Sequence, residues 1–373
     1  MSTYTQASRQ IQVFTALAAD VFLLQGFSGE EGISRPFQYD LYLHSEDPSI
    51  SFDAVVGKKA AIRMILPDNS ERYINGIVSG FSQAGATHRE GGVTGDIFAH
   101  YHATVVPWTW MLTRTTDCRI FQNMSVPDII TKVFQDHGFS DFKKQLHGSY
   151  QPREYCVQYR ETDLNFVSRL MEEEGIFYFF EHQPDKHILI MADSPGDFMT
   201  PPGGATVSYE SIIGESPSQE NVTEWLQSQE VRPGRYTIND FNFEKPLLDL
   251  TSSVDGEDER KFEIYDPPGR YLTKDEGERL VGIRMEEEDT PQLVISGSSN
   301  SKRFVAGYKF NLTGHYRRDF NRSYVLTTVR HSATQGTNYG SSRGGGAGWT
   351  EYSNEFQCIP DGTAFRPSRI TPI

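Results

Sequence analysis

Apolar and polar residues alternate through much of the first third of the chain. In residues 37–44 every second position is apolar, and the same period recurs in residues 60–66 and 97–105. A period of two is typical of strands that bury one face. Residues 67–70 have the composition of a turn and separate two such segments, which predicts a hairpin. Several short strands without a strand–helix–strand rhythm predict a small barrel or sandwich.

The hydrophobic period changes in the middle of the chain. Two segments there carry apolar residues three and four positions apart, which predicts two amphipathic helices. The helices are predicted to begin at Ser125 and Thr162 and to stop at Gly138 and Gly175. The apolar residues that follow, in 176–191, predict a hairpin of buried strands. Two helices against a hairpin would form a compact α/β module.

The last third returns to alternation, in residues 308–313 and 325–329. A third helix is predicted to open at Thr273 and to continue through Met285. The glycines of residues 336–348 predict a mobile loop, because ordering them costs much conformational entropy.

Two pairs of residues have capping-box spacing, Ser125 with Asp128 and Thr273 with Glu276. Their side chains are expected to accept hydrogen bonds from free N–H groups at the starts of the two helices.

These patterns predict a mainly β fold with an α/β insertion. The predicted order is a first β-barrel domain at 1–115, the α/β insertion at 116–193, a Pro-, Gly- and Ser-rich connector at 194–235, and a second β-barrel domain at 236–373. The two β segments show no convincing repeat of each other's sequence.

The composition argues against several classes of protein. The 35 basic and 50 acidic residues give a formal charge of −15, which argues against binding to a nucleic acid backbone. The three cysteines are far apart, so neither a disulfide framework nor a zinc ribbon is expected. No apolar run is long enough for a membrane span, and the first residues lack the pattern of a secretory signal.

Catalytic motifs are absent from the sequence. It contains no HExxH zinc helix, no GxSxG nucleophile elbow, no P-loop and no GxGxxG after a strand. The sequence therefore predicts no catalytic residue, no cofactor and no metal.

Three groups of residues could carry chemistry, but each also has a structural interpretation. His100 and His102 on one strand could hold a metal, but their alternation with apolar neighbours favours a polar strand face. Cys156 with a nearby histidine could be a catalytic thiol, although its flanks favour a buried structural cysteine. The acidic runs 172–174 and 286–289 could bind calcium or act as acid and base. Solvated helix faces are favoured for them, with some carboxylates paired to Arg169 or Arg284.

The segment CVQYRETDLNFVSRLMEEEGIFY, residues 156–178, strongly resembles the VgrG family, the spike proteins of bacterial type VI secretion systems. Further motifs of the family occur in order on both sides: FSG at 27–29, FQY at 37–39, VVPW at 105–108, RIFQ at 119–122, EIYD at 263–266, PGRY at 268–271, residues 282–288, FQCIP at 356–360 and FRP at 365–367. The match spans nearly the whole chain. Pro267 departs from the bulky residue usual in the family, which concerns one loop.

The resemblance implies an architecture like the central hub of contractile phage tails, with two tube-like β barrels per chain. Three chains would form a homotrimer that matches a hexameric Hcp tube, with a C-terminal needle, a tip protein and baseplate proteins as further partners. The resemblance also implies that these residues carry structural motifs: Tyr159, Arg160, Glu161, Asp163, Phe166, Arg169, Leu170, Gly175, Tyr265, Asp266, Pro268 and Gly269.

Family members continue into an oligonucleotide/oligosaccharide-binding-fold neck and a needle, so this chain is expected to be the hub portion of a longer protein. It would assemble in the bacterial cytoplasm and be exported by the type VI system without a cleavable signal. The alternatives are a prophage or other contractile-injection tail hub, a cell-wall-active enzyme and a glycan-binding module.

Overall fold

The computed structural model describes residues 4–88, 97–201, 204, 206–210, 220–256, 262–336, 340–341 and 350–372. Within these residues the chain is built mainly of strands, with three α-helices. No helix in this part of the chain has the length and apolar character needed to cross a membrane. Most of the glycine-rich loop predicted at 336–348 lies outside the described residues.

The first half of the chain holds twelve strands and two helices within the described residues. They are β1 (Tyr4–Thr5), β2 (Ile11–Phe14), β3 (Leu23–Gly32), β4 (Arg35–Ser45), β5 (Lys59–Ile65), β6 (Glu71–His88), β7 (Ile97–Val106), β8 (Thr116–Phe121), α1 (Val126–Asp136), β9 (Phe142–Gln145), β10 (Cys156–Thr162), α2 (Asp163–Glu174), β11 (Phe177–His182) and β12 (His187–Ala192).

The second half adds ten strands and one helix within the described residues. They are β13 (Thr206–Tyr209), β14 (Asn221–Gln229), β15 (Arg235–Ile238), β16 (Ser252–Asp255), β17 (Glu263–Tyr265), α3 (Lys274–Asp289), β18 (Leu293–Ser299), β19 (Lys309–Thr313), β20 (Ser323–Gln335), β21 (Gly340–Ser341) and β22 (Thr350–Pro360). Short 3₁₀ turns occur at Phe52–Ala54, Trp108–Arg114, Pro195–Asp197 and Arg318–Phe320.

One sheet of twelve strands runs through both halves of the chain. Its order is β2-β5-β6-β7-β4-β3-β20-β22-β18-β14-β13-β19, and β19 also pairs with β20. This second pairing closes six of the strands into a barrel, and β20 joins that barrel to β3 of the other half. The predicted fold class, mainly β with an α/β insertion, is confirmed.

The other six strands form the N-terminal half of the sheet, whose edge strands are β2 and β3. The side chain of Gln335 bridges these two edges. Its Nε2 donates to the carbonyl oxygens of Ile11, at 2.8 Å, and Leu24, at 3.1 Å. A side chain from the far end of β20 thus provides the hydrogen bonds that a direct strand pair would otherwise make.

The α/β insertion has the predicted elements. Helices α1 and α2 pack with the β11–β12 hairpin, which β9 extends as a parallel third strand. Thr162 caps α2 by accepting a hydrogen bond from the Asn165 N–H at 3.2 Å, as expected of a threonine at this position. The predicted capping at Ser125 and Thr273 is wrong. Neither side chain caps the main chain of its described helix, and the Ser125 hydroxyl donates to the Asp128 carboxylate instead.

Two parts of the predicted organisation need correction. Strands β13 and β14 lie inside the predicted connector at 194–235, where the indole of Trp225 packs 4.8 Å from the Tyr324 ring in the barrel core. The described residues of 235–289, assigned to the second barrel, instead form a small subdomain in which α3 covers the sheet β16-β15-β17. In both places weak alternation and many polar residues hid the strands.

The largest hydrophobic core is shared by the N-terminal sheet and the insertion. Phe37 of the sheet lies 5.0 Å from Phe180 of the hairpin, and Trp108 lies 4.9 Å from Phe134 of α1, both edge to face. The closed barrel has its own aromatic core. The insertion is therefore a packed part of the first half.

Candidate functional site

The family motif around residue 160 forms a β-bulge. The pairing of β10 with β8 shifts between Tyr159 and Glu161, and Arg160 between them has φ = 52°. An extra residue in one strand re-aims the side chains on either side of it. Tyr159 points to solvent with the Arg160 guanidinium 5.3 Å from its ring, while Glu161 turns toward α2.

Glu161 and Arg169 form the ion pair that holds the bulge against α2. The Arg169 Nε and Nη2 atoms donate to the two carboxylate oxygens of Glu161 at 2.9 and 2.7 Å. Nη2 also donates to the Val157 carbonyl oxygen at 2.8 Å. Planar, two-pronged pairing of this kind fixes geometry as well as charge.

Asp163 is a buried carboxylate at the start of α2 with four partners. It accepts from Thr115 Oγ1 at 2.6 Å and from Gln158 Nε2 at 2.8 Å, it pairs with Arg119, and His137 Nε2 lies 2.6 Å from it. Burial raises the pKa of Asp163, but the hydrogen bonds and the charge of Arg119 outweigh it and lower the pKa. The residue joins the end of α1, the start of α2 and β8.

Phe166 and Leu170 lie on the buried side of α2. The Phe166 ring stacks on Phe121 at 5.4 Å, and Leu170 is fully buried in the shared core. This is the apolar stripe that the helical period predicted.

Replacing Leu170 by alanine should lower the free energy of unfolding by about 2–5 kcal/mol, because the lost methyl groups leave a cavity that the rigid core fills only partly. Asn165→Ala on the exposed side of the same helix is the matched control and should change stability by less than about 0.5 kcal/mol. Urea unfolding followed by fluorescence measures both. Equal effects from the two variants would place Leu170 outside the core.

Gly175 ends α2 where the subdomain 235–289 packs against it. Its φ is 70°, and a Cβ there would lie 2.6 Å from Ile283 Cγ2 of α3. Glycine is required both for the left-handed backbone and for the close approach. Arg366, from the C-terminal motif FRP, secures the same point by donating to the carbonyl oxygens of Gly175, at 2.8 Å, and Asp193, at 2.9 Å.

The second motif segment lies in the subdomain 235–289. Asp266 accepts a hydrogen bond from the Tyr236 hydroxyl at 3.1 Å and pairs with Arg369 at 3.3 Å. Pro268 follows a cis peptide bond, and Tyr265 is exposed. At Gly269 a Cβ would lie 2.2 Å from the Tyr271 ring, so only glycine fits.

A cleft of about 780 Å³ separates the insertion from this subdomain. It brings together four of the residues that the resemblance singled out, Arg169, Asp266, Pro268 and Gly269. The other eight do not line it. Four of the motif residues therefore line the junction, one from α2 and three from the loop after β17, and the others lie outside it.

The acidic run at the end of α2 is part of this junction. Arg153 pairs with Glu173 and Glu174, both at 2.7 Å, and Arg279 of α3 pairs with Glu174 at 2.7 Å. Arg284 donates to the carbonyl oxygens of Glu172 and Glu173 at the helix end.

The predicted solvated face is therefore wrong for Glu172 and Glu174, which are buried. The predicted pairing with Arg169 is present, at 3.7 Å from Glu173. Arginines from elements distant in sequence balance the carboxylates that oppose the helix dipole. The second acidic run is also paired, since Glu287 contacts Arg284 at 2.6 Å and Arg369 at 3.3 Å.

The remaining sequence candidates have structural partners. His100 stacks on His44 at 4.4 Å and lies 2.9 Å from Thr87 Oγ1, on a strand face opposite buried Ala99 and Tyr101, as favoured. Cys156 is buried, which raises the pKa of its thiol.

Among the described residues, His147, Asp193 and Asp197 place potential metal-ligating atoms within 4.8 Å of one another. His147 Nε2 lies 2.9 Å from Asp197 Oδ1, and Asp193 accepts from the main-chain N–H groups of His147 and Gly148 and from the Tyr150 hydroxyl. These contacts explain the cluster as a set of hydrogen bonds that joins the loop after β9 to the loop after β12.

Sequence reasoning missed a buried charge cluster where the two halves of the long sheet meet. Glu31 of β3 accepts from Arg72 at 3.2 Å and from His331 Nε2 at 2.9 Å, and the Tyr352 hydroxyl lies 2.7 Å from His331 Nδ1. Burial raises the pKa of Glu31, but the hydrogen bond from His331 and the charge of Arg72 outweigh it and lower the pKa. Only the position of Glu31 in a strand, next to a family motif, could have drawn attention to it.

Comparison with known proteins gives a consistent result. The family described as phage tail baseplate hub (GPD) matches residues 30–337. The type VI secretion system spike protein VgrG1b of Pseudomonas aeruginosa is 38% identical over 371 residues, which cover 99% of this chain and 49% of that protein. The actin cross-linking toxin VgrG1 of Vibrio cholerae is 28% identical over 357 residues, which cover 92% of this chain and 32% of that protein.

A solved structure shares the fold. The Escherichia coli c3393 protein, described as a component of the type VI secretion system with structural similarity to the T4 tail proteins gp27 and gp5, aligns with a TM-score of 0.70 at 21% identity. The alignment covers 97% of this chain and 80% of that one. The chain spans about half the length of VgrG1b and a smaller part of the toxin. The resemblance to the VgrG family is confirmed.

Proposed function

Since this chain belongs to the phage tail baseplate hub family, we propose that it is the structural hub of a type VI secretion spike. In this role three copies assemble around one axis and adapt a threefold spike to the sixfold end of a tube.

The observation that carries the proposal is the twelve-stranded sheet with two six-stranded halves. Each chain contributes two six-stranded units, so a trimer presents six such units to a tube. A chain with only one unit would present three. The halves share the β3–β20 pair, so their relative placement is fixed by hydrogen bonds. That rigidity suits an adaptor which must hold six near-equivalent surfaces in one ring.

The partners in this proposal are two further copies of the chain, a hexameric Hcp tube, the needle with its tip protein, and baseplate proteins. Weak contacts repeated six times around a ring gain strength through effective concentration. The chain assembles in the bacterial cytoplasm and is then exported with the spike. Nucleic acid is not a partner, as the formal charge of −15 suggests.

We propose that the hub region itself is not an enzyme. Three of the carboxylates that line its junction cleft, Glu173, Glu174 and Asp266, are ion-paired with arginines, whereas burial raises the pKa of a fourth, Glu276. A catalytic acid or base needs a carboxylate that can exchange a proton with a substrate. The toxin activity named for one relative belongs to a protein of which this chain matches 32%.

The test of the hub proposal is the oligomeric state. We expect a trimer that dissociates on dilution, because each copy carries a formal charge of −15 and the copies repel one another. Moderate salt should favour the trimer, since each copy carries −15 and salt screens repulsion beyond about 8–10 Å. Light scattering across concentration and salt measures this. A dimer independent of concentration, or a monomer at every concentration, would overturn the proposal.

A further inference from the structure

The subdomain 235–289 carries an apolar loop that faces solvent. Between β15 and β16, the side chains of Phe241, Phe243, Leu247 and Leu248 are exposed, with 78% of Phe243 and 99% of Leu247 accessible. Large apolar side chains rarely stand together in water unless another surface covers them.

The loop is held by its own hydrogen bonds. Buried Asn242 accepts from the main-chain N–H groups of Glu244, at 3.0 Å, and Lys245, at 3.1 Å. Its Nδ2 donates to the Leu272 carbonyl oxygen at 3.2 Å. A polar residue thus takes the inward position while the phenylalanines on either side point outward. The hydrogen bonds of Asn242 therefore hold the two phenylalanine side chains in exposed positions.

Two neighbours extend this surface. Leu272, which the Asn242 bond holds beside the loop, and Tyr265, whose hydroxyl lies 3.5 Å from Asn239 Nδ2, are each more than half exposed. We call Phe241, Phe243, Leu247, Leu248, Tyr265 and Leu272 the apolar loop patch. Their exposed area is on the order of 800 Å², the share that one partner contributes to a stable protein interface.

A second apolar surface lies on the β8–β10 ribbon. One face of this two-stranded sheet packs on the insertion, while the other exposes Ile120, at 59%, and Tyr159, at 64%. The exposed side chain of Cys118 lies opposite Tyr159 in the strand pairing. Among the described residues the two strands pair only with each other.

Rings with cyclic symmetry are built from two different surfaces of the same chain, one on each side of every contact. We propose that the apolar loop patch of one copy docks on the exposed face of the β8–β10 ribbon of the next copy. This inference rests on the proposed trimer and adds the surfaces that form it. Tyr159 is the last residue of the exposed face before the bulge at Arg160, so the family motif borders this surface.

The first experiment removes the patch. Phe243→Asp with Leu247→Asp should raise the concentration at which half of the trimer dissociates by at least 100-fold, without a change in the thermal unfolding of the monomer. Leu226→Asp, at a residue 65% exposed on β14, is the matched control and should leave that concentration within threefold. If the double variant and the control behave alike while the native chain is trimeric, the loop is not in the interface. The hub proposal would then stand without it.

The second experiment tests the recipient surface. Cys118 is exposed, whereas Cys156 and Cys358 are buried, so Leu247→Cys adds one further accessible thiol. A short bis-maleimide should then link copies into covalent trimers, and the native chain and the Leu247→Cys/Cys118→Ser variant should give none. A trimer in solution that yields no linked copies would overturn docking on the ribbon. A native chain that stays monomeric would overturn the hub proposal first.

Discussion

Replacing Glu31 by glutamine should lower the free energy of unfolding by about 3–5 kcal/mol, because it leaves the guanidinium of Arg72 buried without its counter-charge. Both side chains are almost fully buried, and Glu31 Oε1 lies 3.2 Å from Arg72 Nη2. Glutamine keeps the size of the side chain and removes only the charge. A loss of this size is a large fraction of the 5–15 kcal/mol that stabilises a typical protein.

The adjacent Glu30 provides the control. Its side chain is 40% accessible and pairs with Arg330 at 2.9 Å, so Glu30→Gln should cost less than about 1 kcal/mol. The double variant Glu31→Gln/Arg72→Met should recover much of the loss, since removing both members of a buried pair can be nearly neutral. Guanidinium unfolding with a double-mutant cycle measures all three. If Glu31→Gln costs no more than Glu30→Gln, the cluster does not hold the two halves of the sheet together.

The cluster also shows which kind of contact could not be predicted from the sequence. The partners of Glu31 lie 41 and 300 positions away, at Arg72 and His331. A strand or helix period depends on residues close together in sequence and can be read directly, as it was for the start of α2 at Thr162. A pair that forms only when distant strands meet has no local signal.

The same reason explains the errors in organisation. Strand β14 alternates weakly, and its place in the barrel is fixed by β18 and β13 rather than by its own pattern. The acidic run at 172–174 has the composition of a solvated helix end. It is partly buried because Arg153, Arg279 and Arg284 arrive from other elements. The residue type determines the charge of a side chain, but the groups that neutralise the charge come from distant parts of the sequence.

The motif residues were identified through resemblance, and their arrangement gives that resemblance a physical meaning. Glu161, Asp163 and Arg169 fix α2 against the β8–β10 ribbon. Gly175 allows close packing against α3, and Gly269 leaves room for the Tyr271 ring within the subdomain 235–289. None of these positions requires a substrate to account for it. They are the residues that keep the insertion and the subdomain in register on one hub.

Two histidines, His187, which is buried, and His182, which is partly buried, should make the protein sensitive to acid. His182 Nδ1 accepts the main-chain N–H of Asn75 at 3.0 Å, and His187 Nε2 accepts that of Trp108 at 2.9 Å. A protonated imidazole has no lone pair for either bond, so each ring must stay neutral in the folded protein. Burial, as the main cause, lowers the pKa of His182 to about 4 and that of His187 to about 3.

The lowered pKa values of the two histidines determine how stability changes with pH. An unfolded chain binds protons on both rings near pH 6.5, whereas the folded protein binds them only near pH 3–4. Between these values the unfolded state holds more protons, so stability falls as the pH falls. Each histidine contributes a loss of about 1.4 kcal/mol per pH unit within this window. Together they should remove about 3–4 kcal/mol between pH 7 and pH 5.

Variants that keep the acceptor but cannot be protonated separate this cause from others. His182→Asn places an amide oxygen near the position of Nδ1, and His187→Gln does the same for Nε2, so the double variant should lose about 3–4 kcal/mol of the fall between pH 7 and pH 5 whatever its stability at pH 7. His44 and His331, whose pKa values burial also lowers, keep their own part of the slope. The control is His147→Gln. His147 is exposed, and its hydrogen bond to Asp197 raises its pKa, so removing it cannot flatten the loss. Urea unfolding at half-unit pH steps measures the slopes. A double variant as steep as the native chain would show that other groups carry the acid sensitivity, because neither ring would then be withholding a proton in the folded state.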